Sequence, residues 1–251
     1  MSINVTDEQT LAELVQRHRA LYDGPAIDTK LEAIIRGGSH TGLTGWDILR
    51  VLRSSRSVFF DTHVEVVSGH HTATYLRFES IARFPELIRL LARDMAEWIR
   101  RTFKSEPITG IVATTSAAEL LAEGIADHLH DRMRLRVTLT PYSYETGRIE
   151  TDIKIGAIKP GEQFVALNDV TTRGNCVSKL GKVITDNGGV LAGMMVFARR
   201  DSGQFPLMEE LIVRYPFYYA ADFDMPQWEP DQCPLCKNNQ PVLSWRDMPE
   251  I

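Results

Sequence analysis

FVALNDVTTRGNC, residues 164–176, reads as a buried strand that runs into a polar turn and then a helix. Phe164 to Leu167 are uniformly apolar, as in a strand covered on both faces. Asn168 and Asp169 stand at its tip, and Thr171, Thr172, Arg173, Gly174, Asn175 and Cys176 lead into the helical run NCVSKLGKVITDNGG. In an open parallel sheet, ligands sit beyond the carboxyl ends of the strands. A turn that feeds a helix presents free backbone N–H groups and the positive end of the helix dipole, which suits a phosphate. Gly174 permits close approach of the backbone, Thr171 and Thr172 add hydroxyl donors, and Asp169 can accept from sugar hydroxyls or reach a metal-bound water. An ordinary strand–turn–helix link with an Asx or Thr cap has the same outline.

The segments on either side repeat the alternation of strand and helix. ITGIVATT (108–115) is a buried strand. SAAELLAEGIADHLHD is a helix with a capping box formed by Ser116 and Glu119. LRVTLT is a strand, PYSYETGRIETDIKIG a turn-rich projecting hairpin, and VLAGMMVFA another strand. This order implies crossovers, so the fold class is α/β with a mainly parallel sheet flanked by helices. Before it, SVFFDTHVEVV and TATYLRFES form a hairpin around SGHH, and FPELIRLLARDMAEWIRR is an amphipathic helix opened by Pro85. Residues 1–56 read as an N-terminal helical extension. Its first helix is capped by Thr6 or Asp7, and its second, TKLEAIIRGG, is stopped by Gly37 and Gly38. Residues 57–215 form the α/β core and 216–251 an irregular, Pro-rich tail containing CPLC.

Composition narrows the function classes. Apolar residues make up 43% and charged residues 24%, the profile of a globular protein. The net charge of −5 argues against general nucleic-acid binding. No run is long enough for a membrane helix, no signal peptide opens the chain, and the default location is the cytoplasm. Three cysteines do not make a secreted disulfide framework. Cys233 and Cys236 have the spacing of half a zinc site. A histidine, or a second subunit, would have to complete it; an inert reduced turn is the simpler alternative.

Residues 164–176 resemble the phosphoribosyl-diphosphate motif of the type I phosphoribosyltransferases: a hydrophobic strand, two acidic residues, then a Thr/Gly/Ser loop around a 5′-phosphate. VVSGHHTATYLRFES, GIVATTSAAELLAEGIA and GVLAGMMVFARRDSG are similar, in order, to the hairpin, the pyrophosphate loop and the next strand of the orotate branch. The likeness spans roughly residues 58–204. It implies a Mg²⁺-dependent transfer of ribose 5-phosphate from phosphoribosyl diphosphate to a small nitrogen base, by a homodimer. By that resemblance Asp169 and Asn168 hold the ribose, Thr171 to Cys176 the 5′-phosphate, and Thr114, Thr115 and Ser116 the pyrophosphate. Arg200 and His71 lie toward the base.

Four departures mark this chain. Asn168 replaces an acid. Arg173 stands where the family has a small residue. ATTSAAE lacks the usual glycine. The 141–156 segment offers only Arg148 and Lys154 as cations, beside Glu145, Glu150 and Asp152, and Val67 takes the place of a lysine. These losses fall on the leaving-group and base ends, so the chain is read either as a transferase or as a non-catalytic protein that binds a nucleoside monophosphate or ribose phosphate.

Overall fold

The computed structural model describes residues 8–200 and 205–250. The Thr6/Asp7 cap and the end of the 189–203 match lie outside the described residues. The central sheet has six strands: β1 (Ile35–Ser39), β2 (Gly110–Thr114), β3 (Arg136–Thr140), β4 (Gln163–Thr171), β5 (Val190–Arg200) and β6 (Phe217–Phe223), in the order β1-β6-β5-β4-β2-β3. All neighbours are parallel except the β1–β6 pair. The helices are α1 (Glu8–Asp23), α2 (Ile27–Ile34), α3 (Gly45–Ser55), α4 (Phe78–Ala82), α5 (Pro85–Thr102), α6 (Ala117–Leu129), α7 (Asn175–Asp186), α8 (Pro206–Arg214) and the single turn α9 (Pro234–Lys237).

The alternation of side chains along β4 builds two layers. Val165 and Leu167 join a core with Leu91 and Met95 of α5 and Leu121 and Ile125 of α6. Phe164 and Ala166 point the other way, into a core with Val177, Leu180 and Val183 of α7. A strand covered on both faces needs its unbroken apolar run, and both layers bring helix N-termini to the carboxyl edge of the sheet.

Three boundaries differ from the sequence reading. Residues 1–56 are not a separate helical layer: α2 and α3 pack into the larger core, and β1 is an edge strand of the sheet. Gly37 and Gly38 do not stop a helix; they lie in β1, where a Cβ on Gly38 would stand 2.4 Å from the Ala220 carbonyl. The segment 216–251 is not irregular throughout. Its first part is β6, an interior strand between β1 and β5, so a core–tail boundary at 215 cuts the sheet. FYYAADF, apolar except for Asp222, carried the signal that could have revealed this strand.

The predicted hairpin is split into short ladders. Val58–Phe59 pairs with Tyr75–Leu76, and Val64–Glu65 with His71–Thr72. The tail adds a strand to each side of the second ladder: Gln227–Trp228 beside His71–Thr72, and Leu243–Ser244 beside Val64–Glu65. The tail therefore grips the hairpin from both edges. A small core of Leu14, Phe59, Val64, Leu243 and Met248 seals this junction against α1. Residues 142–149 form a second hairpin, as expected.

Candidate active site

The turn after β4 opens into a cleft of about 440 Å³. Asn168, Asp169, Thr171, Thr172, Arg173, Asn175 and Cys176 all line it, as do Ser116 and Arg200. Gly174 is the N-cap of α7 with φ 83°, a left-handed conformation that favours glycine. A Cβ there would also lie 3.0 Å from Leu211 Cδ1 and 3.3 Å from Met208 Cα of α8. Gly174 has no side chain to cap α7, and among the described residues no other side chain does, so its first N–H groups are available to a ligand.

Two polar atoms of the turn are buried without a partner: Thr171 Oγ1 and Arg173 Nε. Leaving such groups unsatisfied costs on the order of 1–3 kcal/mol each, and an anion in the turn would relieve it. The Arg173 guanidinium lies 4.6 Å from the centre of the Phe205 ring, so its bulk is held by stacking. Arg200 Nε donates to Thr172 Oγ1 at 3.0 Å, joining β5 to the turn. Its neighbour Arg199 is turned away into a buried pair with Asp222, at 3.1 Å.

Asp169 receives a hydrogen bond from the Val170 N–H at 2.7 Å. Burial, and next the charge of Glu79, raise its pKa to about 7. Asn168 donates its amide to the Val170 carbonyl at 3.0 Å. Glu79, on α4, was missed by the sequence reading although it lines the same cleft. No local pattern in the sequence marks it. Among the described residues, four cationic ones (Arg148, Arg173, Lys179, Arg200) and two acidic ones (Glu79, Asp169) face the cleft, so a phosphate-rich ligand fits the local charge despite the acidic chain.

The residues expected at the pyrophosphate are used differently. The Thr114 and Ser116 hydroxyls bond each other at 2.8 Å. Thr115 Oγ1 accepts the Tyr142 N–H at 3.1 Å, which fixes the 142–149 hairpin to this turn. Among the three, only Ser116 lines the cleft. Ser116 caps α6 by accepting the Ala118 N–H, in place of the expected capping box with Glu119. At the hairpin tip, a Cβ on Gly147 would stand 2.5 Å from Val67 and 3.2 Å from the Trp245 ring, so the tip rests on the first hairpin and the tail. Trp245 is part of the cleft wall.

His71 does not line the cleft. It turns to the opposite side of its ladder, where His63, His71, Cys233 and Cys236 bring their donor atoms within 4.8 Å of one another. His70 bonds Glu229 of the tail at 2.6 Å. The histidines that stand beside the two CPLC thiols thus come from the hairpin. His63 is a diagonal neighbour of His71 on one face of the hairpin, since Val64 pairs with Thr72 and Glu65 with His71.

A cleft at the carboxyl edge of a parallel sheet, with a glycine-containing turn between β4 and α7, is the arrangement expected of a phosphoribosyl site. Comparison with known proteins agrees. The orotate phosphoribosyltransferase of Heliobacterium modesticaldum is 26% identical over 196 residues, 78% of this chain and 94% of the relative. That of Thermus thermophilus is 25% identical over 197 residues, 78% of this chain and 98% of the relative. In sequence the chain is similar to the orotate phosphoribosyltransferases over most of its length. The crystal structure of the Mycobacterium tuberculosis orotate phosphoribosyltransferase with inorganic phosphate superposes with a TM-score of 0.52 at 15% identity, over 70% of this chain and 95% of that one. The fold is thus that of the type I phosphoribosyltransferases. No family model matches the chain, in keeping with a family motif altered at Asn168 and Arg173. The aligned 78% leaves out a substantial part of this chain, and the His63, His71, Cys233, Cys236 cluster draws half its donor atoms from the CPLC segment.

Proposed function

We propose that this chain is a cytoplasmic, Mg²⁺-dependent phosphoribosyltransferase that moves ribose 5-phosphate from phosphoribosyl diphosphate to a small nitrogen base. One observation carries the reading: the β4–α7 turn holds two orphaned donors, Thr171 Oγ1 and Arg173 Nε, beside an uncapped helix N-terminus in a cationic cleft. The 5′-phosphate sits there, with Thr172 and Arg200 alongside. Asp169 accepts from the ribose hydroxyls and, as an anion, stabilises positive charge at the anomeric carbon as the bond to pyrophosphate breaks. The departing pyrophosphate meets Ser116 and Arg148. The base nitrogen forms the new bond to the anomeric carbon. Arg200 and the aromatic wall of Tyr75, Tyr142 and Trp245 orient the base.

Mg²⁺ fits this donor set, since Asp169 and Glu79 present carboxylates to one cleft. When bound, it would neutralise pyrophosphate charge. Glu79 also restores the second acid that Asn168 removes. The reading includes a homodimer, which sedimentation would test.

The rival is a binding protein without turnover. One contact favours it: the Asn168 amide is spent on Val170, so it offers less to a ribose. Titration of phosphoribosyl diphosphate with Mg²⁺, followed by assay of pyrophosphate release with orotate and other bases, separates the two. Binding lost in Asp169→Ala and Arg173→Ala, with pyrophosphate released by the unaltered chain, supports the transferase. Nucleoside monophosphate binding with no release under any base supports the rival.

A further inference from the structure

The four donors on the far side of the first hairpin come from two distant parts of the chain. His63 and His71 belong to the hairpin, Cys233 and Cys236 to the tail. His63 Nε2 lies 2.9 Å from His71 Nδ1 and 3.4 Å from Cys233 Sγ. Cys236 Sγ lies 3.2 Å from His71 Nδ1 and 3.6 Å from His63 Nε2. A tetrahedral zinc ion with ordinary Zn–N and Zn–S bonds separates its donors by about 3.3–3.8 Å. The four spacings, 2.9 to 3.6 Å, overlap the lower part of that range, and all four donors lie within 4.8 Å of one another. His63 Nδ1 stands 2.8 Å from the Gln240 carbonyl. A proton on Nδ1 donates there and leaves the Nε2 lone pair for a metal, the outer support that ligating histidines ordinarily have. His63, His71 and Cys233 are buried and all three cysteines of the chain are free thiols.

We propose that His63, His71, Cys233 and Cys236 bind one Zn²⁺ in a closed, structural Cys₂His₂ site. The ion staples the tail to the hairpin at the point where the tail crosses from one edge of the small sheet to the other. Residues 227–228 lie on one side of that crossing and 243–244 on the other. Four protein donors fill the tetrahedron, so no position is left for substrate or water. Through this staple the ion holds Gln227 and Trp245, both part of the cleft wall, in place. Binding converts two thiols to thiolates and releases two protons, with no change of oxidation state.

The test uses the full chain, expressed with zinc supplied and freed of loose metal by gel filtration. Elemental analysis is expected to find about one zinc per chain in the unaltered protein and in Cys176→Ser, and at least tenfold less in Cys233→Ser and Cys236→Ser. Because those two variants could fail to fold, the unaltered chain is also reconstituted with Co²⁺. An intense visible band of tetrahedral cobalt with thiolate charge transfer is expected. Hydrogen exchange should quicken at least tenfold across 63–72 and 227–245 on chelation, while 163–171 stays protected. Zinc well below one equivalent, zinc retained in the Cys236→Ser protein, or a six-coordinate cobalt spectrum would overturn the site. Exchange in 227–245 that is indifferent to chelation would overturn the staple. These readouts do not depend on phosphoribosyl transfer.

Discussion

At the scale of single residues, the carboxyl edge of β4 concentrates both chemistry and strain. Asp169 ordinarily would ionise well below neutrality, but its folded pKa is about 7. The folded state therefore binds this proton more tightly than the unfolded chain. Stability from it is full below the unfolded value and is lost as pH rises through 7. Asp169→Asn is expected to stabilise the protein at pH 8, by on the order of 1 kcal/mol after allowance for solvent in the cleft, while removing turnover. Thermal melts at pH 5 and pH 8 check it: the gain should appear at pH 8 and fade at pH 5. His18 has the opposite sign. It is buried between Tyr22 and Phe59, its ring nitrogens make no well-formed hydrogen bond among the described residues, and burial lowers its pKa to about 4. Stability is expected to fall by up to about 3 kcal/mol as pH drops from 6.5 to 4, and His18→Phe should flatten that part of the profile. Gly174→Ala is expected to cost about 1–2 kcal/mol, from its positive φ and the crowding by α8, and to weaken phosphate binding in a calorimetric titration. The Asn168–Cys176 turn was legible because its signal is local: an apolar run, polar residues, a glycine, a helix. Glu79 was not, because nothing near it in sequence says that α4 turns toward the cleft.

At the scale of elements, the two hairpins and the tail form one cover. The 142–149 hairpin is tied at its base through Thr115 and rests at its tip on Val67 and Trp245. Trp245→Ala is expected to raise hydrogen exchange across 142–149 by about tenfold, as an aromatic contact worth roughly 1 kcal/mol is lost. Exchange in β4 should be unaffected. The sequence identified both hairpins and α5 through their periodicity, with Ile88, Leu91, Met95 and Ile99 buried along one face of the helix as the pattern requires. It misjudged Thr114, Thr115 and His71, because a residue type and a position in a motif do not specify which way a side chain turns. His71 instead shares a face of its ladder with His63, beside the two tail cysteines.

At the scale of the whole molecule, the described fold closes on itself through contacts that join its two ends. Arg36 pairs with Asp224 across 188 residues, next to the β1–β6 ladder, and Arg77 bonds the Met248 carbonyl and Glu250. Such links leave no local trace in a sequence, which is why the first and last segments were read as appendages. A chain ending at 215 lacks β6 and is expected to be insoluble. One ending at 225 keeps the six-stranded sheet, and should give cooperative unfolding by circular dichroism at a lowered melting temperature. The pairing of β1 with β6 also bears on biosynthesis. A ribosome delivers roughly 5–20 residues per second, so β1 waits about 10–40 s for its partner to be made. Through that interval its edge has no mate, and the nascent chain depends on Gly37 and Gly38, poor strand formers, to keep that edge from pairing with a neighbour on the same message.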